Sequence, residues 1–225
     1  MKGFKMDTPN TIYSFISRLP ILFTGFFILA VGIVVNLYAN LGTSPWGVLH
    51  VGLAEITPFT LGQITQMVGL IIVFTSWLLG FSPGFGTIAN MITIGFFIDL
   101  VIDWNIIPKQ TLLIWQIIQL IFSLVLLGCG VFLYLRAQLG AGPRDGLMVA
   151  LAKKFNRSVS HIRIPMDIIV VILGFLLGGP LGLGTVISAL TLGYFIQFFL
   201  KVGGFNEPSK QLNLKEFYKL LKRKI

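Results

Sequence analysis

LGTSPWGVLHVGLAE, residues 41–55, is answered further along the chain by LGAGPRDGLMVALAK, residues 139–153. The second stretch repeats the first, with Arg144-Asp145 standing where the first has Trp46-Gly47. Both open on Leu-Gly and carry Pro at the same place. Pro is favoured in the first turn of a helix because its missing N–H would have no partner there. The helix-permissive sequence that follows is about 13 residues long, or about 20 Å at the α-helical rise. That falls short of the roughly 30 Å hydrocarbon core of a bilayer. Each stretch is expected to form a short helix that enters the membrane or lies at its edge without crossing.

The membrane itself is read from composition. Of 225 residues, 55% are hydrophobic and 11% charged, with a mean hydropathy of +0.88. A soluble domain carries about 25% charged residues to face water, and this chain lacks them. Apolar runs at 19–39, 61–79, 85–102, 112–135, 164–177 and 181–200 are six candidate spans. The start, MKGFKMDTPNTIYSFISRLP, leads from basic residues into a full-length span with no small-residue cleavage site. It is read as a retained first helix. Cys129 is the single cysteine, so no intramolecular disulfide forms, and a lone thiol among Leu and Gly is a small apolar filler.

A shift of 98 positions aligns the two halves without a gap from Leu29 to about Ile98. Gly32, Leu41, Gly42, Pro45 and Leu49 fall on Gly130, Leu139, Gly140, Pro143 and Leu147. GFGT at 84–87 falls on GLGT at 182–185, both read as tight turns between consecutive helices. Glycine and proline in register are not produced by hydropathy, so the chain is duplicated. With three spans per half, the second half must sit inverted. Basic residues, which collect on the cytoplasmic side, agree: Lys2, Lys5 and Arg18 precede the first span, and Arg136, Arg144, Lys153, Lys154, Arg157 and Arg163 gather between the fourth and fifth. The tail holds seven more from Lys201 to Lys224, whereas 40–60 has no Lys or Arg and 103–110 only Lys109. An eight-span arrangement would place Arg136 outside. The expected architecture is an all-α membrane protein of six transmembrane helices, arranged as two inverted three-helix repeats, each with a short re-entrant or interfacial helix. A basic leader occupies 1–18, the repeats 19–106 and 107–204, and a basic amphipathic helix 205–225.

Inverted repeats are characteristic of secondary transporters, with a site between the halves and helix termini directed at it. Thr43 and Ser44 give the first short helix a hydroxyl-bearing start, and Arg144 and Asp145 give the second a charged one. A helix N-terminus favours anions, so Thr43, Ser44, Trp46, Arg144 and Asp145 are candidate solute-binding residues. The plainer alternative is that Gly and Pro turn the chain and Arg144 meets lipid phosphate. Asp167 lies within a span, where an ionisable group is by default functional. Arg163, four residues earlier on the same helical face, is its natural partner. The pair is a candidate coupling or gating element, or a lock between helices. Asn90, Gln63 and His161 are candidates for a polar path.

Other chemistry is not visible. His50 and His161 have no companions at ligand spacing, so no metal site is expected, and no cofactor motif occurs. Nucleophile triads, paired carboxylates and redox cysteine pairs are absent from the sequence, which argues against an enzyme. The net charge of +9 sits at the ends and one loop, suiting anionic lipid rather than nucleic acid. In the tail, Leu214, Phe217, Tyr218 and Leu221 share one helical face with basic residues on the others, a pattern for lying on the inner leaflet.

LGTSPWGVLHVGL at 41–53, LGAGPRDGLM at 139–148 and HIRIPMDIIVVILGFLLGGPLGLGT at 161–185 resemble the YczE-like family of bacterial integral membrane proteins. The resemblance spans nearly the whole chain except its ends. It implies a multi-pass protein of the bacterial plasma membrane, and the basic ends and loops place both termini in the cytoplasm. Members of that family commonly have Asp where this chain has Gly47 and Glu where it has Asp167, so a cation-binding first motif is not implied. The resemblance implies no established activity. The residues point to a small-solute transporter or exporter for an anionic or polar metabolite, against an accessory membrane partner or an uncoupled channel. They do not specify substrate or oligomeric state.

Overall fold

In a computed structural model, Pro9, residues 11–204 and residues 211–222 are described, and they form α-helices with no strand. Most of the basic leader, and residues 205–210 and 223–225 of the expected tail helix, lie outside the described part. α1 (Ile12–Ile16) leads into α2 (Leu19–Tyr38), and α3 (Pro45–Glu55), α4 (Leu61–Leu78) and α5 (Phe85–Asp103) complete the first half. The second half contains α6 (Leu113–Ala137), α7 (Pro143–Phe155), α8 (Val159–Leu176) and α9 (Leu183–Val202), followed by α10 (Leu214–Lys222).

Five stretches among the described residues are long and apolar enough to cross a membrane: Ile12–Tyr38, Leu61–Leu78, Phe85–Asp103, Leu113–Ala137 and Leu183–Val202. α8, of 18 residues, is the remaining long helix. It starts at Val159 rather than near residue 164, because the Ser158 hydroxyl accepts the His161 N–H and begins the helix a turn earlier. α3 and α7 have 11 and 13 residues, about 17 and 20 Å of helix. Leu70, Phe74 and Trp77 of α4, Ile118 and Phe122 of α6, Ile168, Ile172 and Phe175 of α8, and Leu190 and Phe198 of α9 are all exposed. Apolar faces this extensive are not carried in water. The chain is a helical membrane protein.

The duplicated sequence has a duplicated backbone. Asn40 and Gln138, 98 positions apart, both take left-handed conformations, with φ of 56° and 57°. Gly42 and Gly140 follow at φ 91° and 145°, and Gly80 and Gly178 match at 86° and 91°. The elbows at 40–42 and 138–140 reverse the chain after α2 and α6 and lead into α3 and α7, and Gly80 and Gly178 follow α4 and α8. The equivalent helices α2 and α6 pack antiparallel: Gly25 lies against Gly130 and Tyr134, Gly32 against Leu126 and Leu127, and Asn36 bonds Ser123. Glycines here bring the two backbones close, as apolar helices in lipid require.

The GFGT and GLGT segments do more than turn the chain between neighbours. Gly86 N–H donates to Leu139 O at 2.7 Å, and Gly184 N–H donates to Leu41 O at 2.6 Å. Each turn at the head of α5 or α9 therefore grips the elbow of the opposite half. Likewise α3 packs on α8 and α7 on α4, so the halves are interlocked.

The interlock is not symmetric. α4 lies along α5, with the Gly62 and Gly95 backbones abutting, and Asp99 accepts the Gly62 N–H at 2.8 Å. α8 and α9 are splayed instead, and the nearest atom to a Cβ built on Gly193, the equivalent of Gly95, is Arg163 Nη1 at 3.9 Å. On α3, Gly52 abuts Gly174, Val48 abuts Gly179, and Thr43 N–H donates to Pro180 O at 3.3 Å. One side of the bundle is closed by backbone contact, and the other is open.

The tail is anchored in the bundle. Leu212 is buried, its N–H donating to Gln138 O at 3.0 Å. Phe217 of α10 packs on Phe15 and Phe85 at centroid distances of 4.7 and 5.9 Å. Lys215, Lys219 and Lys222 remain exposed.

Candidate functional site

A cavity of about 240 Å³ lies where the halves meet, and the N-terminal turns of α3 and α7 both line it. Its walls repeat the duplication: Ser44 and Gly142, Trp46 and Arg144, His50 and Met148, Thr65 and Arg163, Gly69 and Asp167, and Asn90 and Ser188 are lining pairs 98 positions apart. The cavity is thus lined by sequence-equivalent positions of both halves. A second cavity of about 1290 Å³ shares Val131, Asp145, Arg163 and Ile196 with it. Lys153, Lys201, Tyr194, Gln197 and the tail residues 211–213 also line this larger space. This larger space, called the vestibule below, lies on the side of the basic loops and borders the splay between α8 and α9.

The polar groups around the small cavity are held by specific bonds. Trp46 Nε1 donates to Asp167 Oδ1 at 3.1 Å, and Arg163 Nε approaches Asp167 Oδ2 at 3.5 Å. Tyr134 hydroxyl donates to Asp145 Oδ2 at 2.7 Å. The Arg144 guanidinium stacks over the Trp46 ring, 4.7 Å from its centroid. Arg144 has no hydrogen bond and no carboxylate within 4.0 Å among the described residues. Both acids are hydrogen-bonded to other groups and act on the Arg144 guanidinium only through space, so its donors are unspent beside two helix N-termini. That combination suits an anionic group.

Behind this layer, Asn36 organises the start of α3. Its Oδ1 accepts from Thr43 Oγ1 at 2.9 Å and from Ser44 N–H at 3.0 Å, while its amide donates to Ser123 at 2.9 Å and Ser188 at 3.4 Å. Ser44 Oγ in turn accepts the Gly47 N–H at 3.3 Å. Thr43 is buried and occupied by Asn36, outside the cavity lining.

The structure therefore brings Ser44, Trp46, Arg144, Asp145, Arg163, Asp167 and Asn90 to one cavity. It leaves two polar-path candidates elsewhere. Gln63 exchanges bonds with Thr60 at the head of α4, and His161 Nδ1 meets Ser158 Oγ at 2.6 Å at the head of α8. Both sit three residues after a hydroxyl cap, a pattern of helix starts. The sequence reading set aside His50 with metal sites, yet its buried ring lines the cavity. Tyr134, also buried on the wall, carried no sequence signal beyond being an aromatic residue within a span.

Comparison with known proteins agrees on kinship. Residues 16–201 match a family of unknown function, DUF6198. A protein of Haemophilus influenzae, described as uncharacterized, is 38% identical over 175 residues, covering 78% of this chain and 79% of its own. The Bacillus subtilis "uncharacterized membrane protein YczE" is 36% identical over 181 residues, covering 79% and 83%. YyaS of the same organism is 28% identical over 184 residues, covering 79% and 90%. No solved structure matches. On the extent of that match, the chain belongs to the DUF6198 family, and it is a relative of the membrane protein YczE.

Proposed function

We propose that this protein is a small-solute transporter of the bacterial plasma membrane that binds an anionic or polar metabolite in the cavity between its halves. The observation that supports the reading is the lining itself, in which sequence-equivalent residues of the two halves converge on one space. In this reading α8 is the sixth span, α3 and α7 are the non-spanning helices, and the halves are inverted repeats. The vestibule opens to the cytoplasm, where the termini and the basic loops lie, and exposed Lys215, Lys219 and Lys222 face the inner leaflet. Arg144 and the two helix N-termini hold the solute. The Trp46–Asp167–Arg163 chain links the solute layer to α8, which is the helix that must move to close the vestibule. Exchange of the closed α4–α5 packing with the splayed α8–α9 packing is the alternating step. No bond-making chemistry is assigned to the site, and no cofactor or metal.

The exposed faces of α8 and α9 favour a second reading, an accessory protein docked on another membrane protein. Proteoliposomes holding the purified protein separate the two. Inorganic phosphate and small carboxylates are applied, and charge movement or uptake is followed. Transport of at least one solute is expected, and a flat response to all of them favours the accessory role. Asp167→Asn keeps the Trp46 bond but removes the charge facing Arg163. The variant is expected to fold with unchanged thermal stability and to lose most transport. Unchanged transport removes Asp167 from the mechanism.

A further inference from the structure

The cavity wall holds a group that neither the repeat nor the packing accounts for. His50 lies one turn beyond Trp46 on α3, the ring centroids 6.4 Å apart. It is buried, and its Nε2 has no hydrogen-bond partner among the described residues. Its Nδ1 is 3.1 Å from Thr65 Oγ1, and that same hydroxyl is 2.8 Å from Leu61 O. A hydroxyl has one proton, and a carbonyl oxygen can only accept. With both contacts made, the Thr65 proton goes to Leu61 O, and the Thr65 oxygen accepts from Nδ1–H. In that arrangement the imidazole is protonated on Nδ1, and Nε2 presents a bare lone pair.

A buried acceptor left unmade is rare in native proteins and calls for a reason. Symmetry supplies none, because the equivalent residue is Met148, which packs as an apolar side chain. Nor does helix capping, since His50 sits in the interior of α3. What remains is the space it borders, which also meets Arg144. We propose that His50 Nε2 accepts a hydrogen bond from the solute, so that the solute is a small anion bearing a hydroxyl or amino group as well as its charged group. The inference rests on the solute-binding reading of this cavity and adds a substrate class to it. The anionic end pairs with Arg144 and the donor end with His50, both groups being neighbours of the Trp46 ring. A cavity of about 240 Å³ is below the range of about 300–1,000 Å³ usual for drug-sized ligands, which confines the class to small metabolites. A site built around a donor on its ligand rejects the analogue that lacks it, because the acceptor is then stranded.

The test uses two series of matched skeletons with the purified full-length protein in detergent: propionate, lactate and alanine, then succinate, malate and aspartate. Binding is read by calorimetry and by thermal stabilisation. In at least one series the hydroxyl or amino member is expected to bind wild type roughly tenfold or more tightly than the unsubstituted acid. His50→Leu is expected to bind the members of that series equally, and Arg144→Ala to bind none. Should His50→Leu fail to fold, Thr65→Val removes the acceptor that holds Nδ1–H and is expected to narrow the preference. Equal binding of the substituted and unsubstituted acids by wild type overturns this inference while leaving the cavity reading standing. A preference undiminished in His50→Leu, or in Thr65→Val where that variant is the one used, overturns it likewise. Failure of every anion to bind wild type overturns both.

Discussion

Two glycines that occupy the same place in the two halves should respond oppositely to the same change. Gly95→Leu is expected to destabilise the protein by about 3 kcal/mol or more, at the upper end of overpacking costs. A Cβ there runs into the Gly62 carbonyl and the Gln66 side chain, and neither helix can retreat while Asp99 ties α5 to the head of α4. Gly193→Leu meets open space, with only the mobile end of Arg163 at 3.9 Å. Its stability is expected to stay within about 0.5 kcal/mol of wild type, as for surface substitutions. Transport should nevertheless stop, because α9 could no longer close on α8 as α5 closes on α4. Thermal unfolding of both variants, followed by flux for the one that folds, reads the result. A Gly193→Leu protein that transports normally would mean that the splay is a fixed feature of the fold and not one phase of a cycle.

Arg144→Ala should abolish solute binding. The guanidinium stacks on Trp46 and spends no hydrogen bond on the protein among the described residues, so what it offers is available to an anion. Hydrogen bonds to charged groups contribute about 1.5–3 kcal/mol each. Loss of a two-pronged contact should therefore weaken binding roughly a hundredfold or more. Arg144→Lys restores the charge without the planar fork and the flat stacking surface, so partial recovery is expected, well below wild type. Titration of whichever small anion binds wild type checks both variants. Equal affinity across wild type, Ala and Lys would return Arg144 to the plainer role of meeting lipid.

The sequence made much of this legible, and the reasons differ by feature. The Leu-Gly-x-x-Pro stretches and the short helices follow from local chemistry, because Pro suits a helix start and Gly admits the turn before it; the left-handed conformations of Asn40 and Gln138 were not read from the sequence. Arg163 and Asp167 were readable as a pair from their four-residue spacing. The function of GFGT and GLGT was not, because the carbonyls they grip belong to Leu139 and Leu41 in the opposite half. Gln63 and His161 had the composition of a polar path, yet local capping claimed them first. His50 was the reverse case. Nothing in its neighbours along the chain marks it, and its meaning arises only when α4 brings Thr65 to its Nδ1 and leaves Nε2 unmatched. Likewise the tail reads as a surface helix by its charge pattern, but Leu212 and Phe217 bury themselves against residues near positions 138 and 15.

Two halves facing opposite sides of the membrane is the claim on which the rest depends, and sidedness measures it. In a Cys129-free background, cysteine is placed at Asn105 or at Lys153, both exposed in the structure, and intact cells are treated with a membrane-impermeant maleimide. Asn105→Cys should label at once, and Lys153→Cys only after the membrane is opened. Labelling of Asn105→Cys only from the cytoplasm, or of both positions from the same side, would contradict the inverted arrangement and with it the shared cavity as a transport site.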